Sequence, residues 1–214
     1  GYPQVIHMAF HPSSPYQNCL FSQQNKPEND ARTNYYNLYG STPQFVLNGK
    51  HLPSANPAIN NTTLDTALNQ TSPIQVEAIE EYVTADSIKV TVTVRVGGVT
   101  PVANALLFVG VAEEPVLYSA PNGENTHHDV FRRALTAVTG SSFQLPQAGD
   151  SVVFEFGYQV QSGWVIHNLH TTAWVQRADT KEILNADESE RLSSPLGVDE
   201  TAPMNRSGYL LRWG

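Results

Sequence analysis

Apolar and polar positions alternate most regularly over Ile88-Lys89-Val90-Thr91-Val92-Thr93-Val94-Arg95-Val96. A period of two predicts a strand with one buried and one wet face. Residues 76–83 predict a second strand. Leu106-Leu107-Phe108-Val109-Gly110-Val111 has no polar position, so it predicts a strand covered on both faces. Further strands are expected at 152–160, 171–176 and 182–184. Gly97-Gly98, Pro121-Asn122-Gly123 and Ala148-Gly149-Asp150 supply turns between them. One helix is expected to interrupt the series, with Asp129 capping Val130 to Ala137. Repeated strands and turns of this kind suggest a sandwich.

The first 70 residues read differently. Val5 to Phe10 predicts a buried strand ending before Pro12, and residues 12–27, broken by Pro12, Pro15 and Pro27, predict a loop. Asn29 or Asp30 is placed to cap a helix through Ala31, Tyr35 and Leu38, with Gly40 stopping it. Thr42-Pro43 leads into a strand at 44–47. Asn48-Gly49 is the strongest hairpin signal in the chain. Thr62 or Thr63 starts a short helix through Leu64, Ala67 and Leu68. The change of pattern at Thr71 to Ile74 divides the chain into units 1–72 and 73–187. Residues 188–214, with Pro195, Gly197 and Pro203, read as an extension. Its Tyr209-Leu210-Leu211-Arg212-Trp213 run is apolar enough to dock on the chain's own sandwich or on a partner.

Composition narrows the function. Of 214 residues, 40% are hydrophobic and 15% charged, with Asn, Gln, Ser and Thr supplying much of the polarity, a balance that suits exported β-rich proteins. The net charge of −8 argues against nucleic acid, which needs a dense basic stripe; Arg132-Arg133 is a single pair. No apolar run approaches the roughly 20 residues that cross a bilayer. Gly1 to Val5 lacks the features of a signal peptide, so the chain reads as a mature or trimmed product. The single cysteine, Cys19, makes no internal disulfide.

Three segments carry a family resemblance. They are Asn29 to Gly49 (NDARTNYYNLYGSTPQFVLNG), His127 to Leu135 (HHDVFRRAL), and Asn168 to Gln176 (NLHTTAWVQ) with Thr180 to Leu184. In order and spacing they resemble the outer-membrane-protein-28-related family, exported bacterial proteins with a thioredoxin-like domain followed by a β-sandwich. The resemblance implies an α+β, partial thioredoxin-like N-terminal unit followed by an all-β immunoglobulin-like sandwich. It implies a cis Thr42-Pro43 bond facing a Cys-x-x-Cys motif, whose first thiolate is the nucleophile of such enzymes. That motif should precede Val5 by a strand and a helix, and nothing precedes it here. A truncated layer exposes a sheet edge, a template for pairing. The expected partner is therefore another protein chain or a cleaved N-terminal fragment.

Other candidate chemistry is spread along the chain. Cys19 is a free thiol whose nearest cation in sequence is Lys26. Histidines fall in pairs: His7 and His11, His127 and His128 beside Asp129, His167 and His170. Neutral imidazoles with a carboxylate suit copper or zinc, and His127, His128 and His170 are the first candidates. No fixed metal-ligand spacing supports them. Glu80-Glu81 and Glu113-Glu114 read as solvated strand ends, because adjacent strand residues point to opposite faces. No Ser stands in a G-x-S-x-G elbow. Tyr35, Tyr39 and Trp213 are candidate interaction residues, since aromatics concentrate at interface centres.

These readings converge on a non-enzymatic interaction or assembly protein with no cofactor, exported to the periplasm, the outer membrane or the extracellular space. A thiol-disulfide oxidoreductase whose Cys-x-x-Cys lies outside this chain is one alternative. Copper or zinc capture by histidines is another.

Overall fold

A computed structural model of the chain describes residues 2–38, 41–52 and 59–193, and the backbone of 209–213. Among the described residues strand predominates, and helix is limited to three short α-helices and one 3-10 turn. That helix content is too small to cover both faces of a thioredoxin-like sheet.

The N-terminal elements are β1 (Ile6–Phe10), α1 (Leu20–Gln24), α2 (Lys26–Tyr36), the hairpin β2 (Gln44–Leu47) and β3 (Lys50–Leu52), and α3 (Asn61–Leu68). α2 begins earlier than the sequence suggests. Asn25 stands at its N-cap and Pro27 lies in its first turn, where a missing N–H costs nothing. Asn29 and Asp30 serve the preceding loop instead. Their side-chain oxygens accept from the backbone N–H of His11 and Ser13, both at 2.7 Å. α1 occupies part of the segment expected to be loop. Asn60 caps α3 by accepting from the Thr63 N–H at 3.0 Å.

The remaining strands are β4 (Ile74–Thr84), β5 (Ser87–Val96), β6 (Asn104–Glu113), β7 (Val116–Leu117), β8 (Thr126–His127), β9 (Val130–Ala134), β10 (Ser141–Gln144), β11 (Ser151–Gln159), β12 (Leu169–Gln176), β13 (Ile183–Glu188) and β14 (Tyr209–Trp213). Nine of the strands form one mixed sheet. Its order is β13-β12-β6-β9-β1-β14-β2-β3, with β10 also on β6. A second sheet runs β11-β5-β4, and β7 pairs with β8.

This topology overturns the expectation of a partial thioredoxin-like unit followed by an immunoglobulin-like sandwich. A single curled sheet contains strands from both halves of the chain. The segment expected to be a helix after Asp129 is β9, and it joins β6 to β1. Val130 and Phe131 are both buried, so the segment is covered on two sides, as a central strand requires.

The large sheet is buried on both faces around β6 and β12. Leu107, Val109, Val111, Ala173 and Val175 pack against Ile88, Val90, Val92 and Val94 of β5. On the other face Phe108, Trp174 and Phe131 pack with Met8, Phe10 and Tyr36. The edge of β4 is clasped by side chains of β13: Val76 N–H donates to Asn185 and Ala78 N–H to Asp187, both at 2.9 Å. No helix among the described residues is long and apolar enough to cross a membrane.

Candidate functional site

β1 is not an open edge of the large sheet, which ends instead at β13 and, in the N-terminal part, at β3. β1 meets β9 on one side through Ala9 and Val130. On its other side it pairs with β14 in parallel along its whole length, Ile6 with Tyr209 through Phe10 with Trp213. β14 in turn pairs antiparallel with β2, Leu210 with Leu47 through Trp213 with Gln44. The last strand in the chain therefore fills a slot in mid-sheet. The middle of that slot is walled by Met8 and Val46, both 0% exposed.

A polar node fixes the other side of β1. Asp129 precedes β9 at φ 49, left-handed backbone that Asp tolerates better than most residues. Its carbonyl accepts from Ala9 N–H at 2.8 Å. Its carboxyl Oδ2 lies 2.7 Å from His7 Nδ1, and Oδ1 lies 3.6 Å from Nε2 of the buried His170. The same His170 nitrogen is 3.8 Å from Glu188. Glu114 hydrogen-bonds Asp129, His128 at 2.8 Å and Arg191 at 3.4 Å.

Burial, reinforced by Glu114 and Glu188, pushes the Asp129 carboxyl up to about 9. Glu114, hydrogen-bonded by Asp129 and His128 and facing Arg191, is held down at about 2. The pair titrates together, with Asp129 pushed toward the protonated form and Glu114 toward the carboxylate. The node links titratable groups on β1, β12, β13 and the approach to β9, of which His170 is fully buried.

The sequence-derived candidates scatter. His127 directs Nε2 at Tyr118 O at 2.9 Å and lays its ring 4.8 Å from that of Phe21. His128 faces Glu114, and His170 faces Asp129 and Glu188, so the three imidazoles do not converge. Among the described residues no group of three or more His, Cys, Asp or Glu side chains is arranged to hold a metal ion. His7 and His11 also part, because β1 ends at Phe10. Cys19, part-exposed before α1, has its Sγ 3.9 Å from His11 Nδ1. Lys26 pairs with Asp30 instead of approaching the thiol.

Thr42-Pro43 is a cis bond, as are Ser14-Pro15 and Glu114-Pro115. Tyr35 lies over Arg32 and Lys181, at 4.8 and 4.5 Å from ring centroid to charge. Tyr39 lies outside the described residues, and Trp213 is described only as backbone of β14.

Two carboxylates expected to be solvated are buried. Glu80 accepts from Tyr158 at 3.0 Å and Thr171 at 2.5 Å, and burial raises its pKa. Glu113 pairs with the buried Arg132 at 2.8 Å and accepts from Val165 N–H at 3.0 Å.

No family-wide sequence pattern and no curated protein matches this chain. Its architecture is that of a β-rich protein built on a curled mixed sheet, and one solved structure shares it over most of this chain. HBP35 of Porphyromonas gingivalis superposes with a TM-score of 0.66 at 19% identity, over 86% of this chain and 64% of that one. The chain thus spans less than two thirds of that neighbour. A domain of the outer membrane lipoprotein Omp28 from Porphyromonas gingivalis gives a TM-score of 0.43 at 22% identity, over 56% of this chain and 89% of that one.

Proposed function

We propose that this is a non-enzymatic interaction or assembly protein of the cell envelope or extracellular space, and that it makes contact by taking a strand into its sheet. One observation carries the reading: β14, the last element of the chain, lies between β1 and β2 with register partners on both sides. A slot that accepts a strand from a distant part of the chain offers main-chain hydrogen bonds for affinity and flanking side chains for selectivity. Export is supported by the polar, charge-poor composition and by the three segments resembling an exported family.

The test uses the full chain with its own strand weakened. Leu211→Pro removes an N–H from the ladder and disfavours β14 in mid-sheet. A synthetic peptide of residues 208–214 is expected to bind this variant one to one, and to bind the unmodified chain far more weakly. A folded Leu211→Pro variant that ignores the peptide contradicts strand uptake.

A further inference from the structure

Arg32 on α2 is 0% exposed and sits in an aromatic cage. Its guanidinium carbon lies 4.8 Å from the ring centroid of Tyr35, 4.9 Å from those of Tyr36 and Phe108, and 5.0 Å from that of Trp174. Its hydrogen bonds among the described residues go to neutral acceptors: Val138 O at 3.2 Å, the Tyr36 hydroxyl at 3.1 Å and Gln176 Oε1 at 3.5 Å. The neighbouring groups that offset its burial are the Tyr36 and Tyr35 hydroxyls, with no carboxylate among them. Lys181 brings a second cation, donating from Nζ to Tyr35 O.

Three buried polar atoms here have no hydrogen-bond partner among the described residues: Arg32 Nε, Trp174 Nε1 and the Tyr35 hydroxyl. All three can donate. Arg132, also deeply buried, shows the contrast, because it has the Glu113 carboxylate at 2.8 Å. An unanswered buried guanidinium is costly, and so is each buried donor left unmade. The node therefore has positive charge and donors in excess, and lacks an acceptor with negative charge.

We propose that Arg32, Trp174 and Tyr35 form a binding site for a small carboxylate. A carboxylate supplies what is missing, an anionic acceptor for the Nε–H that the acceptors on the two terminal nitrogens leave unanswered. Of the four rings, only that of Tyr35 is part-buried.

The experiment titrates the full chain with acetate, inorganic phosphate and chloride at matched ionic strength, following the indole N–H resonance of Trp174 and the Nε–H resonance of Arg32. Acetate is expected to move both resonances saturably, with chloride silent, and to raise the unfolding midpoint. Tyr35→Phe keeps the ring and removes one donor, and is expected to weaken acetate binding about tenfold. Arg32→Met is expected to abolish it. If Arg32→Met does not fold, Tyr35→Phe carries the comparison. Resonances that respond alike to acetate and chloride, or to phosphate alone, overturn the proposal.

Discussion

His7 Nδ1 and Asp129 Oδ2 stand 2.7 Å apart and join two strands that share only one register pair. β1 and β9 have too short a ladder to define the edge of the slot on their own. The side-chain contact, with the Asp129 carbonyl on Ala9 N–H, holds β1 where β14 can pair with it.

The node predicts an acid-favouring stability profile. Asp129 is raised from 3.8 to about 9, so the folded state keeps a proton that the unfolded chain releases. Its contribution is complete below the unfolded value and is lost as pH rises through 9. Glu114 is lowered from 4.5 to about 2, so its contribution is complete above 4.5 and is lost as pH falls through 2. Glu80 and Asp187 are raised by burial and add to the loss with rising pH. Urea midpoints are expected to be higher at about pH 5 than at about pH 9. Asp129→Asn tolerates the same backbone and is expected to flatten this slope, at a cost of about 1–3 kcal/mol near pH 5.

Removing one partner of the Glu113–Arg132 pair leaves the other charge buried. Arg132→Met is expected to destabilise by about 3–5 kcal/mol in chemical denaturation. Adding Glu113→Leu should restore a large part of that, because the pair's own net contribution is small once both charges are gone.

Gly49 has φ +84 in the β2–β3 turn, and a Cβ there collides with the Lys181 carbonyl. Gly49→Ala therefore meets both a backbone and a contact penalty. A loss of about 2 kcal/mol or more is expected in thermal or urea unfolding.

Much of the local structure is legible from pattern. The alternation in β5, the two-faced burial of β6 and the Asn48-Gly49 hairpin follow from period and turn chemistry. Glu80 is legible too: Ile74, Val76, Ala78 and Glu80 share one parity on β4, so Glu80 points inward with them. Reading it as solvated ignores that parity. Glu113 ends a strand with no wet face, which also signals burial.

What is not legible is long-range. β9 reads as a short capped helix because Asp129 is a good N-cap residue; only its neighbours β6 and β1 make it a strand. The pairing of His7 with Asp129 spans 122 residues, and nothing local announces it. Arg32 sits in an unremarkable polar helix, and its burial is set by Phe108 and Trp174 across the sheet. The slot for β14 is likewise a property of the assembled sheet and not of residues 209–213.

Disulfide trapping tests the placement of β14 most directly. In a Cys19→Ser background, Phe45→Cys and Arg212→Cys place thiols on directly paired residues of β2 and β14, within the Cα separation a disulfide needs. Mild oxidation followed by intact-mass analysis and peptide mapping is predicted to show one intrachain bond between the two introduced thiols in a monomer. A folded protein in which both thiols stay free, with no bond within or between chains, would contradict the strand slot.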